Sequence, residues 1–122
     1  MSKSTLIRAV ADFETTTDLS DCRVWLWGYV TLDGKFTHGT GIDSFIDYVS
    51  TVKQTCYFHN LKFDGSFILD YLLNNGYEHT DARYHTRGQF TTIIVSMGKF
   101  YQISVRFDNG PRVHFLDSLK KL

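Results

Sequence analysis

The sequence lacks several features that would mark a secreted, membrane-bound or nucleic-acid-coating protein. Its 122 residues carry 13 basic and 13 acidic side chains and no formal net charge, whereas proteins that hold nucleic acid by neutralising phosphates are usually basic. No apolar run approaches the ~20 residues of a membrane-spanning helix, and residues 1–5 lack the apolar segment of a signal peptide. These absences predict a cytoplasmic protein with no membrane partner, in which any binding of nucleic acid is local or uses a metal ion.

Cysteine is also scarce. The two cysteines, Cys22 and Cys56, show no CxxC or other metal-binding spacing. Each lies in an apolar run, so we expect two buried free thiols rather than a disulfide, which is typical of a reducing compartment. A 43% hydrophobic content in 122 residues is enough for one core and too little for two, so residues 1–122 are predicted to form a single domain.

The alternation of apolar and polar residues predicts an α+β fold with a mixed sheet, in the order β-β-β-α-β-α-β-β-β. Strands are expected at 6–13, 22–31, 35–38, 54–58, 90–97, 99–107 and 112–116. A first helix is expected at 41–53, and a second begins near Phe67 and stops at Asn75-Gly76. Residues 78–89 are expected to be the longest loop, and 117–122 the start of a further helix.

Two carboxylates close the first predicted strand, in Asp12-Phe13-Glu14. Because side chains at i and i+2 of a strand face the same side, ~6.6 Å apart along the chain, Asp12 and Glu14 should share one face while Phe13 enters the core. Such a pair can bridge two divalent cations ~3.5–4 Å apart, an arrangement that activates water and stabilises an in-line phosphoryl displacement. By itself, the pair is more typical of a solvated strand end.

The segment from His59 to Asp64 lies where a strand gives way to a helix. Asp64, near the helix start, could serve as an ordinary N-terminal cap or dipole partner of the helix. Asn60 could close a turn, His59 could be a structural hydrogen-bonding residue, and Lys62 could be solvated. The segment alone therefore leaves its function open.

Taken together, the two segments resemble a known family. Asp12-Phe-Glu-Thr-Thr-Thr17 and Tyr57-Phe-His-Asn-Leu-Lys-Phe-Asp-Gly-Ser-Phe67 resemble the first two exonuclease motifs of the protein-primed family B DNA polymerases of phages. Asp117-Ser-Leu-Lys-Lys-Leu122 resembles a further segment of that family, and the strand that begins at Cys22 also fits. The resemblance extends over residues 6–122.

The resemblance implies an RNase H-like fold, a mixed sheet flanked by helices, and two-metal excision of mispaired 3′ nucleotides with Mg²⁺ or Mn²⁺, in the cytoplasm of an infected or lysogenic bacterial host. It makes three residues catalytic metal ligands: Asp12, Glu14 and Asp64. It assigns contacts with a single-stranded DNA 3′ end to Thr15, His59, Asn60, Phe63, Ser118 and Leu119.

The sequence departs from the family after Asp64. The third exonuclease motif, a Tyr followed four residues later by an Asp, is not found at its expected place, and no polymerase domain is present in residues 1–122. Tyr77-Glu-His-Thr-Asp81 has that spacing but falls in the predicted loop. We therefore expect a partial exonuclease-like domain with weak or absent nuclease activity. The alternative is a small phage protein that reuses the fold to bind or inhibit a host defence or replication protein.

Overall fold

A computed structural model describes residues 7–16, 18, 20–82, 85–94 and 101–117. These residues form one mixed eight-stranded sheet and two helices. In chain order the elements are β1 (Ile7–Thr15), β2 (Val24–Thr31), β3 (Phe36–Gly39), α1 (Gly41–Val49), β4 (Gln54–Phe58), α2 (Leu61–Asn74), β5 (Glu78–His79), β6 (Gln89–Ile94), β7 (Tyr101–Arg106) and β8 (Arg112–Asp117). Within the described ranges, neither helix is long and apolar enough to cross a membrane.

The strand order across the sheet is β3-β2-β1-β4-β8-β7-β6-β5. The central strands β1, β4 and β8 are parallel, whereas β2, β3 and β7 pair antiparallel with their neighbours. Because parallel strands run in the same direction, the carboxyl ends of β1, β4 and β8 lie side by side at one end of the sheet. Helix α2 also begins there. The α+β fold with a mixed sheet, predicted from the sequence, is confirmed.

Both helices pack on one face of the sheet, over an aromatic core. The ring of Phe13 on β1 meets Phe45 of α1 at 4.9 Å and Phe58 of β4 at 5.0 Å, both edge to face. Trp27 of β2 meets Phe45 at 5.4 Å. Each fully buried ring of this kind contributes ~1.5–3 kcal/mol, so this cluster fixes β1 and β4 against the helices.

The helix bounds differ from the sequence prediction for local reasons. Helix α1 ends at Val49 rather than at 53. The side-chain amide of Gln54 donates to the Val49 carbonyl at 2.8 Å and so pairs one of the carbonyl groups that the last turn of a helix leaves free. Helix α2 begins at Leu61 rather than near 67. Leu61 is fully buried, and the Asn60 carbonyl accepts the N–H of Asp64 at 3.0 Å, so residues 61–66, which the prediction placed before the helix, form its first turns.

Other differences concern the loop, the cysteines and the last segment. The predicted loop 78–89 contains the two-residue strand β5, too short to leave a periodic pattern. Cys22 is exposed and precedes β2, so the prediction that it is buried was wrong; Cys56 is buried, which raises the pKa of its thiol, and both thiols are free. Asp117 is the last residue of β8 and not a helix start. Residues 118–122 lie outside the described residues.

Candidate active site

The two carboxylates of β1 lie on the sheet face opposite the helices. Asp12 and Glu14 are exposed, whereas Phe13 between them is buried in the aromatic core. This alternation confirms the strand geometry predicted from the sequence. The pairing of β1 with β2 shifts register between Glu14 and Thr15. The strand is therefore irregular directly after its second carboxylate.

Asp64 reaches the same place from α2. It lies in the first turn of the helix and is only 5% exposed. The backbone N–H of Phe13 stabilises the negative charge of its carboxylate. Parallel pairing of β1 with β4 ends at Ala11 and Phe58, so the N–H of Phe13 lies beyond the paired region and is available to Asp64. Asp64 thus lies within electrostatic range of Asp12 and Glu14, and we call the place where these three residues lie the carboxylate edge.

The charges at the carboxylate edge repel one another. The pKa of Asp64 is raised to about 6, first by burial and then by the negative charge of Asp12 and, to a lesser degree, of Glu14, while the Phe13 N–H opposes the shift. A buried carboxylate beside other negative charges is stabilised when it binds a proton or when a cation lies next to it. A cation at the carboxylate edge would therefore reduce the repulsion among the three carboxylates.

The donor set suits a hard divalent cation, because Mg²⁺ and Mn²⁺ prefer carboxylate oxygens. As the side chains stand, however, no three His, Cys, Asp or Glu residues in the described part of the chain are close enough to one another to hold a metal ion. The chemistry of the edge therefore fits a metal, while its side-chain positions do not form a finished site. Asp12 and Glu14 are the exposed members that are free to rotate.

Three of the residues that the resemblance assigns to DNA, His59, Asn60 and Phe63, precede Asp64 closely in the sequence. His59 and Asn60 are exposed at the junction of β4 and α2, and Asn60 takes the N-cap position without a capping hydrogen bond from its side chain. Its amide is therefore not used in the helix start. Phe63 is 46% exposed, and Thr15 is half-buried at the end of β1. Ser118 and Leu119 lie outside the described residues.

A groove of about 490 Å³ adjoins Asp12 and Glu14 on the sheet face opposite the helices. Its floor is mostly apolar and includes Leu26 and Phe36. The Phe36 ring lies 3.4 Å from where a side chain at Gly28 would begin, so the Cβ of a larger residue there would be in van der Waals contact with the ring. The sequence prediction missed these residues, although the alternation of Leu26, Gly28 and Val30 with buried Trp27 and Tyr29 carries the signal.

The segment from Tyr77 to Asp81 is remote from the carboxylate edge. It flanks β5, which lies five strands from β1 in the sheet, about 24 Å at the usual strand spacing of ~4.8 Å. The Tyr77 hydroxyl accepts the backbone N–H of Asp108 at 3.1 Å, and its ring packs on Phe107. Tyr77 is thus a structural residue, and Asp81 cannot complete the carboxylate edge within one molecule.

The sequence matches phage DNA polymerases. It is 41% identical over 118 residues to the DNA polymerases of Bacillus phages phi29 and PZA, and 36% identical over 128 residues to that of Streptococcus phage Cp-1. The chain is homologous to the N-terminal region of phi29-type DNA polymerases. The aligned part is 91% of this chain and 20% of each relative, so the chain spans about one fifth of the length of these phi29-type enzymes. No family model matches the chain.

Solved phi29-type structures share the fold. The orthorhombic crystal form of phi29 DNA polymerase superposes with a TM-score of 0.85 at 34% identity, covering 96% of this chain and 21% of that one. Phi29 DNA polymerase complexed with single-stranded DNA gives a TM-score of 0.82 over 96% of this chain and 22% of that one. The resemblance stated from the sequence motifs is confirmed, as is the mixed α+β fold.

Proposed function

We propose that the carboxylate edge binds the single-stranded 3′ end of DNA and, with Mg²⁺ or Mn²⁺, supports hydrolysis of its last phosphodiester, as in a proofreading 3′–5′ exonuclease. The observation that carries this proposal is the meeting of Asp12, Glu14 and Asp64 beside exposed hydrogen-bonding and aromatic side chains. The chain is homologous to phage DNA polymerases, one of which has been solved with single-stranded DNA. It would act in the cytoplasm of the phage's bacterial host.

Three carboxylates would hold the ions. Asp64 is the fixed member, because burial and the Phe13 N–H restrain its carboxylate. The exposed Asp12 and Glu14 would turn toward the ions and complete their coordination. When bound, the ions supply an activated water and stabilise charge on the phosphate oxygens, while the carboxylates position them.

The strand end would be held mainly by contacts that need no basic surface. Phe63 offers an apolar face on which a base or sugar can stack, and His59 and Asn60 offer hydrogen bonds next to it. Stacking and local hydrogen bonds of this kind tolerate any base, which suits a chain with no net charge. Thr15, Ser118 and Leu119 belong to the same proposed contact.

We expect slow excision by this chain. Losing one ligand of a two-metal site usually leaves an ion loosely held and the attacking water poorly aimed, and Asp81, the replacement with the right spacing, lies about five strand spacings away. The alternative proposal, that the chain binds a host defence or replication protein, requires neither metal nor DNA.

A 3′-end excision assay tests the proposal. A 5′-labelled single-stranded oligonucleotide is incubated with Mn²⁺ and the protein, its Asp12→Ala variant or the matched control Asp70→Ala, which removes an exposed carboxylate of α2. Slow shortening from the 3′ end that needs Mn²⁺, persists in Asp70→Ala and is lost in Asp12→Ala supports the proposal. Shortening that is equal in Asp12→Ala and the unmodified chain contradicts it, and absence of both shortening and DNA binding favours the host-protein alternative.

A further inference from the structure

A second polar cavity lies at the other end of the sheet. It has a volume of about 300 Å³ and is lined by residues of β6, β7 and β8 and of the segment after β5. We call it the histidine cavity and define it by His85, Gln102, Ser104, Arg112 and His114. It shares no lining residue with the groove beside Asp12 and Glu14, so it is separate from the carboxylate edge.

The histidine cavity contains buried polar atoms without partners. His85 is only 5% exposed, yet neither of its ring nitrogens has a hydrogen-bond partner among the residues that the structure describes, and the same is true of Nε of Arg112. Buried polar groups in folded proteins are almost always paired, because an unpaired one keeps the full cost of its desolvation. Here the missing partners must come from whatever fills the cavity.

The cavity also contains one positive charge, on the guanidinium of Arg112. Burial lowers the pKa of His85, and the charges of Arg112 and His114 lower it further; burial and then Arg112 do the same to His114. One acidic residue, Asp81, also lines the cavity, but it is exposed. Among the described residues, no ion pair joins Arg112 to a carboxylate.

Neighbouring side chains orient one of the two histidines. Ser104 Oγ and His114 Nδ1 share a hydrogen bond of 2.7 Å, and Gln102 donates to the same hydroxyl at 2.9 Å. The chain Gln102–Ser104–His114 thereby holds the His114 ring in place on β8. A metal ion is a poor occupant, because the Arg112 guanidinium beside the imidazoles repels cations. An anion, in contrast, would meet both the unpaired donors and the unbalanced charge.

We propose that the histidine cavity binds a phosphate group, held by the guanidinium of Arg112 and the ring N–H groups of His85 and His114. A guanidinium presents a fork of N–H donors that matches two phosphate oxygens, and the imidazoles would donate to the remaining ones. The hydroxyl of Thr91, also in the lining, adds a further donor. The phosphate comes either from a free ion or nucleotide or from the backbone of a nucleic acid.

Histidine-observed NMR of the full chain tests this site. The C2–H signals of the five histidines are followed while sodium phosphate, thymidine monophosphate or a short thymidine oligonucleotide is added, each against sodium chloride of equal ionic strength. We expect the His85 and His114 signals to move and saturate. Those of His38, near Asp12, and of His59 should stay in place on addition of inorganic phosphate.

Variants separate a specific site from general anion screening. Arg112→Gln should weaken the phosphate response about tenfold or more, as expected for loss of a charge-assisted contact, while Arg8→Gln, which removes an exposed arginine of β1, should not. If Arg112→Gln fails to fold, His85→Gln serves instead. A response to free phosphate identifies a free anion as the source, and a response to the oligonucleotide alone identifies a nucleic-acid backbone. Responses to all three anions that match chloride, or that survive both cavity variants, would overturn the proposal.

Discussion

The Phe13 backbone N–H stabilises the negative charge of the Asp64 carboxylate, and this interaction links the end of the first strand to the start of the second helix. Phe13 lies between Asp12 and Glu14 in the sequence. Its interaction with Asp64 therefore holds the third carboxylate near the other two. Asp64 is thus a structural and a candidate chemical residue at once. Its two roles respond differently to substitution, which makes them separable.

Asp64→Asn should separate the hydrogen bond from the charge. Asparagine keeps an oxygen that accepts the Phe13 N–H and removes the repulsion from Asp12, so the free energy of unfolding should change by less than about 1 kcal/mol. Asp64→Ala loses the acceptor and should cost about 1–3 kcal/mol. Urea unfolding measures both. In parallel, the rise in melting temperature on adding Mn²⁺ should vanish in both variants and persist in Asp70→Asn. Persistence of that rise in Asp64→Asn would argue against Asp64 as a ligand.

Phe63→Ala should weaken binding of single-stranded DNA with little effect on folding. The ring is 46% exposed, and stacking of one base on an aromatic side chain contributes about 1–3 kcal/mol, so the dissociation constant should rise about tenfold. Leu73→Ala is the matched control, because it removes an exposed apolar side chain from the same helix. Fluorescence anisotropy with a labelled oligonucleotide measures both. Equal weakening by the two variants would mean that Phe63 has no specific contact with the strand.

Phe45→Ala should be among the most destabilising changes in the chain. The ring is fully buried and packs edge to face against Phe13 and Trp27, and truncating such a residue costs about 3–5 kcal/mol. Phe36→Ala, which removes a 63% exposed ring, should cost far less. Chemical unfolding of the two variants compares them directly. Similar losses would show that the aromatic cluster under α1 is not the centre of the core.

The pKa of His114 predicts the sign of one pH dependence. Burial, followed by the charges of Arg112 and Lys53, lowers this pKa below the ordinary value of 6.5. The unfolded chain then binds more protons between the two pKa values, so the contribution of His114 to stability is present above pH 6.5 and is lost as the pH falls through the folded value. Asp64, with its pKa raised to about 6, acts in the opposite direction, so the histidine effect must be isolated by a variant.

His114→Gln provides that comparison. Free energies of unfolding are measured from pH 7.5 to 5 in phosphate-free buffer with a chelator. The loss of stability on acidification should be smaller in His114→Gln than in the unmodified chain. An identical pH profile for the two proteins would show that His114 titrates normally in the folded state.

The parts of the fold set by local sequence could be predicted, and the parts set by distant pairing could not. Alternation along β1 predicted that Asp12 and Glu14 share one face, with Phe13 buried between them. The start of α2 was missed because Leu61 and Asp64 become buried only after β1 and β4 pair. Arg112 on β8 lies near His85, which precedes β6, because of the strand order in the sheet. The sequence alone does not predict that order.

Binding of a labelled single-stranded oligonucleotide, followed by fluorescence anisotropy with and without Mn²⁺, tests the central claim most directly. We predict tighter binding of the single strand than of a blunt duplex of the same sequence, and a further gain on adding Mn²⁺ that Asp12→Ala and Asp64→Asn both abolish. Equal affinity for single strand and duplex, or a single-strand affinity that Mn²⁺ and both substitutions leave unchanged, would contradict a metal-assisted DNA site at the carboxylate edge.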